Sequence, residues 1–220
     1  MTPPGRPRLT RIAIRDRALE IIDSEGLEAL SMRRLADQLG VQAASIYSHY
    51  SSKDTVLDAI ANLLAQSIDA TDFDVSWQQG MRVWGTTYHA ALRRHPNAAP
   101  IVAAGARERE DYLAMSDQIH GGLLRHGWPP RHATMVAASV KYLVLGAATT
   151  PFGSGFAQDT AVYLDRYPNL TQAHLISQVA DKIDRDSFTL ALDALIRGLE
   201  HVHSGVVSRR ERDASVPPAR

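Results

Sequence analysis

An all-α fold is predicted by three features of this 220-residue chain. Apolar residues recur at helical spacing almost throughout. No run of alternating Val, Ile, Thr and aromatic residues sits between tight hairpin dipeptides, so strand signals are missing. The turn formers Glu25-Gly26, Gly40, His95-Pro96 and Gly127-Trp128-Pro129-Pro130 fall between the periodic segments rather than inside them.

Ile14, Ala18, Ile21 and Ile22 form one stripe of a first helix that ends at Glu25-Gly26. Ser31 is placed to cap a short second helix through Leu39, Gly40 suits a positive-φ turn, and Ala43 to Tyr50 reads as a third short helix. Ser52 can cap a fourth, from Lys53 to about Ala70. Further helices are expected over Ser76 to Arg94, Arg107 to His126 and Arg131 to Ala148, the last with Val136, Val140, Leu143 and Ala147 on one stripe. A short apolar piece lies near Ala98 to Ala104, Thr149 to Gly155 reads as a flexible link, and a last helix is expected from Asp186 to His203. The run Arg107 to Asp111 reads as a solvated helical face, and the tail from Val206 to Arg220 as disordered.

The chain is 45% hydrophobic and 22% charged, within the range of one or two ordinary globular domains. With no cysteine there is no disulfide, thiolate nucleophile or cysteine-held zinc, which fits a reducing cytoplasm. No uncharged run approaches the roughly 18 residues of a spanning helix, and the arginine-rich start does not read as a signal peptide, so a soluble cytoplasmic protein with no membrane partner is expected. The formal charge is zero, yet Arg6, Arg8, Arg11, Arg15 and Arg17 face only Asp16 at the start, whereas acidic side chains outnumber basic ones from 54 to 205. Such asymmetry suggests a small polyanion-binding element on a larger body.

Ser31 to Tyr50 has the pattern of a helix-turn-helix: a small Ala36 where two helices cross, Gly40 in the turn, and Ile46 plugging the shared core. Ser45, Tyr47, Ser48, His49 and Lys53 then supply donors around the third helix, as a helix lying among phosphates requires. The run Leu30 to Leu57, with Tyr47-x-His49-Tyr50-x-x-Lys53-Asp54-x-x-Leu57, resembles the DNA-binding domain of the TetR family of bacterial repressors. More loosely, Ser76-Trp77-Gln78, Leu92 to His95, Ala104 to Arg107 and Leu195 to Glu200 resemble the helical C-terminal domain of its tetracycline-repressor branch.

That resemblance implies a flexible basic arm over 1–10, a DNA-binding domain over 11–70 that includes the fourth helix, a ligand-binding and dimerisation domain over 71–205, and the tail over 206–220. It places Arg33 against a base edge, with guanine O6 and N7 as natural partners. Gln42, Ala43 and Ala44 enter the groove, the amide suited to adenine and the methyls to thymine. Ser45, Tyr47, His49 and Lys53 match phosphate-contacting positions, although Tyr47 and His49 also fit a packing role. Gly5-Arg6-Pro7-Arg8 suits a narrow minor groove, with Arg6 and Arg8 as the inserted cations, or a terminus that only confers solubility.

In the larger domain Trp77, Met81, Trp84 and Tyr88 share one face, as do Tyr112, Met115, Ser116 and Ile119. Such stripes fit a core, or the wall of a small-molecule pocket that the resemblance implies, lined by Trp84, Tyr88, Val102, Tyr112, Met115, Ser116 and Ile119. Val102 stands where the tetracycline-repressor branch has a magnesium-binding histidine and Trp84 where it has a drug-contacting amide, so a metal-free apolar effector is expected, with no cofactor. Val136, Val140, Leu143, Leu192, Leu195 and Leu199 are the expected homodimer contacts, unless they are buried within one chain. No His-Glu-x-x-His helix, Gly-x-Ser-x-Gly elbow or phosphate-binding loop is present, so no enzyme is expected. The expected partners are operator DNA, a second copy and an effector; the alternative is a helical ligand-binding or scaffold protein without specific DNA binding.

Overall fold

The computed structural model describes residues 9–104, 109–163 and 166–215, and for Ser154 and residues 210–215 the backbone alone. Among the described residues there are helices and turns but no strand. The helices are α1 (Arg11–Glu25), α2 (Met32–Leu39), α3 (Ala43–Tyr47), α4 (Lys53–Gln66), α5 (Trp77–Arg94), α6 (Ala99–Ala103), α7 (Glu110–Arg125), α8 (Pro130–Thr149), α9 (Ala173–Ile176) and α10 (Ala180–Ser215). They form two compact units, one of the residues up to Ser67 with Ala91–Ala114, the other of Ile68–Ala90 with the residues from Met115 on. α5 and α7 each give their ends to different units, which helical periodicity cannot reveal because it does not say what each end packs on.

In the first unit α1 begins at Thr10, whose hydroxyl accepts from the Ala13 amide at 3.1 Å. Ile14, Ala18 and Ile22 of α1 meet Leu35 and Ala36 of α2, Ile46 of α3, and Val56 and Ile60 of α4 in a core with almost no solvent contact. Burying each larger aliphatic side chain contributes about 1.5–3 kcal/mol. Ser52 and Thr55 form a capping box on α4, each side chain accepting from the other's amide. The end of α1 is tied to the segment after α5: Asp23 Oδ2 lies 2.8 Å from His95 Nδ1, and Asn97 Nδ2 donates to the Asp23 carbonyl at 3.1 Å.

The second unit is organised around aromatic side chains. Trp77, Met81, Trp84 and Tyr88 are all buried along α5. Phe73 is fully buried between two helical glycines: a Cβ on Gly80 would stand 2.5 Å from its ring, and one on Gly122 would collide with it as closely. Trp77 and Trp128 pack edge to face at 5.3 Å, and the His203 ring lies 4.7 Å from Trp128. His126 Nε2 donates to the Phe73 carbonyl at 2.6 Å, and His203 Nε2 donates to the His126 carbonyl at 2.8 Å, which fastens α10 to the turn between α7 and α8.

Three expectations are corrected. The last helix begins at Ala180 and continues to Ser215, so residues 206–215 of the expected disordered tail are helical. Ser204 and Gly205 do not stop it, because the Ser204 hydroxyl is absorbed by the Glu200 carbonyl at 3.0 Å, and the first helix-breaking residue in the sequence is Pro217. Thr149 to Gly155 is no loose link: Asp184 Oδ1 accepts from the Phe152 and Gly153 amides at 3.0 and 2.9 Å, and Gly153 lies so close to Ala180 that a Cβ would be 2.7 Å from its Cα. In the run Arg107 to Asp111, Glu110 is exposed as expected but Arg109 is not. Arg107 and Glu108 lie outside the described residues, and Arg109 is only 5% exposed, held by Asp58 of α4 and the Ile101 carbonyl.

Candidate nucleic-acid interface

The geometry of α2 and α3 follows from a few local choices. Ser31 caps α2 by accepting from the Arg34 amide at 3.2 Å. Gly40 closes the helix in the left-handed region, at φ 64° and ψ 33°, so that the Val41 amide reaches the Ala36 carbonyl at 3.0 Å. Gln42 is extended, and α3 then makes little more than one turn with Ile46 fully buried beneath it. On its other side Gln42, Ala44, Tyr47 and Ser48 are exposed, Tyr47 by 52%. Ala43, Ser45 and His49 are half-buried at the edge of that face.

Two adjacent arginines on α2 are sorted by their surroundings. Arg34 is engaged by the Glu25 carboxylate at 2.5 Å. Arg33 is exposed and has no partner among the described residues, which leaves its five donors available to an external acceptor. Lys53, in the first turn of α4, is half-buried with Nζ 3.4 Å from the Leu27 carbonyl. Exchanging that neutral acceptor for a phosphate would give a stronger charge-assisted bond. Arg6 and Arg8 lie outside the described residues.

Arg11 belongs to the cationic start of the chain, and the structure gives it a further role. Its guanidinium donates to the His49 carbonyl at 2.5 Å and lies 4.2 Å from the centre of the Tyr50 ring, while the Tyr50 hydroxyl donates to the Arg11 carbonyl at 3.1 Å. The start of α1 thereby holds the end of α3. No spacing rule could have found it, since the partners are 38 and 39 positions apart.

The residues expected to line an effector pocket are divided. Trp84, Tyr88, Met115 and Ile119 are buried in the second unit and Ser116 is half-buried there; Val102 and Tyr112 are buried in the first. The Trp84 and Tyr88 rings are 5.9 Å apart, and Trp84 Nε1 is buried with no hydrogen-bond partner among the described residues. A separate open groove of about 370 Å³ in the second unit is lined by Tyr142, Leu143, Phe152, Asp184, Phe188 and Ala191, among others.

Of the expected dimer contacts, Val136, Val140 and Leu192 are corrected: they are buried within the single chain. A Cβ on Gly85 of α5 would meet Leu192 at 3.1 Å and Val140 at 3.2 Å, so α5, α8 and α10 close on one another there. Leu143, Leu195 and Leu199 are half-buried. The apolar side chains that do face solvent on these helices are Met135 and Tyr142 of α8 and Leu190 and Val202 of α10, Tyr142 and Leu190 by 72% and 73%. Helical patterning marks both faces as apolar; only packing tells which one the chain itself consumes.

A buried three-helix platform that presents a short helix with an exposed polar face, next to an unpaired arginine, defines a helix-turn-helix DNA-binding regulator. Comparison with known proteins makes this specific. The bacterial regulatory proteins of the tetR family match residues 14–60, and the tetracyclin repressor-like C-terminal domain matches residues 72–203, so the chain belongs to the TetR family. It is 27% identical over 202 residues to the tetracycline repressor protein class D of Escherichia coli, covering 88% of this chain and 90% of that protein. A possible TetR family transcriptional regulator from Streptomyces coelicolor A3(2) superposes with a TM-score of 0.71 at 25% identity, over 88% of this chain and 100% of that one. ActR from Streptomyces coelicolor in complex with actinorhodin has the same fold, with a TM-score of 0.69 at 23% identity, over 90% and 99% of the two chains. The chain is therefore a DNA-binding transcriptional regulator of the ligand-responsive repressor type. Among the described residues no helix is long and apolar enough to cross a membrane.

Proposed function

We propose that this protein is a cytoplasmic repressor without enzymatic activity, binding a palindromic operator as a homodimer and leaving it when a small, largely apolar effector binds. The observation that carries this reading is the division of labour on α2 and α3: Ile46 and Ala36 are spent on the core, while Arg33, Gln42, Ala44 and Tyr47 stay exposed on the other side. Arg33 reads a guanine edge, and Gln42, Ala43 and Ala44 read the bases beneath α3. Ser45, Tyr47, His49 and Lys53 hold phosphates, with Arg6 and Arg8 reaching the minor groove. Residues 11–70 supply DNA binding and 71–205 supply effector binding and dimerisation.

One short helix binds weakly, and a two-fold axis doubles it. The exposed stripe of Met135, Tyr142, Leu190 and Val202 is the surface for that axis, and Gly146, Gly198 and Gly205 beside it have nothing within 4 Å of a would-be Cβ, which allows helices to approach closely. Leu143, Leu195 and Leu199 flank it. For the effector, Trp84, Tyr88, Met115 and Ile119 of the second unit offer apolar and stacking surface, and Ser116 of the same unit offers a hydroxyl. The class D relative is named for tetracycline and ActR is bound to actinorhodin, but the side chain at 102 is a valine with no donor for a metal, so the effector here is held without one.

Sequencing the genomic fragments retained by the purified protein tests the reading. The expected result is an enriched palindrome with half-site centres about 34–36 Å apart, bound with steep salt dependence. Recovery of no common palindrome, or a salt-independent affinity, would overturn it.

A further inference from the structure

We propose that Arg11 is a phosphate-contacting residue of this repressor: the start of α1 presents its guanidinium, already fixed against the end of α3, to the DNA backbone beside that helix. This rests on the repressor reading above and adds to it a residue from outside the helix-turn-helix. The arginines of α1 are sorted by what they meet. Arg15 is taken up by Asp16 at 2.7 Å and Arg17 by Glu20 at 2.7 Å, both on α1 itself. Arg11 is exposed and meets no carboxylate among the described residues. Its Nη1 donates to the His49 carbonyl at 2.5 Å, and the centre of its guanidinium lies 4.2 Å from the centre of the Tyr50 ring.

The backbone around α3 explains why the guanidinium comes to rest there. Past the last turn of α3 the His49 and Tyr50 amides both return to the Ile46 carbonyl, at 2.9 and 3.0 Å. The His49 carbonyl stands beyond the helix, at the negative end that a cation suits. Tyr50 is only 3% exposed and its hydroxyl donates to the Arg11 carbonyl at 3.1 Å, so backbone and side chain of Arg11 are tied to one short segment. A guanidinium carries its donors around the edge of a plane, and stacking on a ring occupies a face while leaving that edge. Among the described residues Arg11 uses one of its five donors. Tyr47 and Ser48, in the same turn, are exposed, and His49 is half-buried at the edge of that face. The other donors of Arg11 therefore stand beside the side chains proposed to hold phosphates. A phosphate oxygen gives them a charge-assisted bond, and a side chain ordered before DNA arrives has little rotamer freedom left to lose. Arg15 and Arg17 have no such advantage, since each must give up a carboxylate to take a phosphate.

Salt dependence is the deciding readout, because each phosphate neutralised releases counterions and a residue that only shapes α3 releases none. Affinity of the full-length protein for an operator and for a random duplex is measured over a series of salt concentrations. Arg11→Gln should weaken both DNAs by about ten-fold and lower the slope of log affinity against log salt by about one for each chain bound. Arg11→Lys keeps the charge but neither the stacking face nor the fork, so it should keep the slope while losing about three-fold in affinity. Tyr50→Phe removes the hydroxyl and leaves the ring; it should lower the melting temperature at an unchanged slope, which separates stability from phosphate contact. An Arg11→Gln protein with the native slope on both DNAs would overturn the proposal, whatever its affinity. The hold on Tyr50 has its own readout in the free protein: the Arg11 guanidinium resonances should be displaced by the ring current, and resonances at the position of a free arginine would overturn it with no DNA present. Failure of the native protein to prefer any operator would instead sink the repressor reading, and the slope on the random duplex would still decide on Arg11; a protein that binds no DNA at all would sink both.

Discussion

Adjacent glycines on α7 should respond in opposite directions to the same substitution. Gly→Ala within a helix ordinarily stabilises by about 0.5–1 kcal/mol, since alanine has less backbone freedom to lose. At Gly121 that gain should appear almost in full, because the nearest atom to the added Cβ is the flexible end of Arg125 at 3.4 Å. At Gly122 the added Cβ runs into the Phe73 ring, and relieving the clash by moving the ring sends it toward Gly80, where a Cβ-sized object would already be 2.5 Å from it. The ring cannot retreat in either direction. Overpacking of this sort costs about 1–3 kcal/mol, so after the backbone gain is set against it a net loss of about 1–2 kcal/mol is expected. In a chain of this size that is a fall in Tm of about 2–8 °C for Gly122→Ala, against a rise of about 1–4 °C for Gly121→Ala. Thermal unfolding at one fixed protein concentration, with urea unfolding at unchanged slope as a second measure, gives both numbers. Phe73→Leu placed in the Gly122→Ala background should recover part of the loss. A Gly122→Ala protein as stable as the native one or more so would refute the reasoning, since the ring would then have a way out that the packing denies.

Three further outcomes are expected. Arg33→Ala should cost about 1–3 kcal/mol on the operator and relax preference at one base pair, whereas Lys53→Ala should weaken operator and random DNA alike; competition binding against both DNAs decides, and equal losses for Arg33→Ala would remove its base-reading role. Leu190→Asp should turn the dimer into monomer at micromolar concentration, because an unpaired charge at the centre of an apolar stripe has no compensation; light scattering that still reports dimer would move the interface elsewhere. Asp69 should titrate below its ordinary range, because its carboxylate accepts from the Thr71 hydroxyl at 2.7 Å and the Thr71 amide at 2.8 Å, which outweighs the small effect of burial. Its contribution to stability is present above the unfolded-state value and is lost as the pH falls through the lower folded value; a carboxyl NMR titration of native protein and Thr71→Val, with no downward shift in the native protein, would contradict this.

Much of the DNA-binding unit was legible because its constraints are local. Ala36, Gly40 and Ile46 are separated by single turns of chain, and steric needs at a helix crossing and a left-handed turn act through neighbours in sequence. Exposed Tyr47 and Ser48 followed from the same spacing, because the residues the core consumes name those it leaves, whereas Arg33, Gln42 and Ala44 were picked out by the family resemblance. Where reasoning from spacing failed, the deciding partner was distant. Arg109 sits in a run that looks like a solvated charged face, and only Asp58, some fifty positions away on α4, draws it into the interior.

The sequence by itself determined the helices up to α8 and their order, the helix-turn-helix and the family, since periodicity, caps and breakers are properties of short stretches of chain. Only the tertiary structure decided which apolar face of α8 and α10 is used up inside the chain and which stays exposed: Val140 and Leu192 close on Gly85, and Tyr142 and Leu190 remain in solvent. It also decided that α10 runs on to Ser215, and that Arg11 and Arg109 are clamps rather than surface charge. The physical reason is the same in each case. Hydrophobic burial is non-directional and an ion pair needs only proximity, so which groups satisfy one another is settled by where the helices come to rest, not by the order in which they were written.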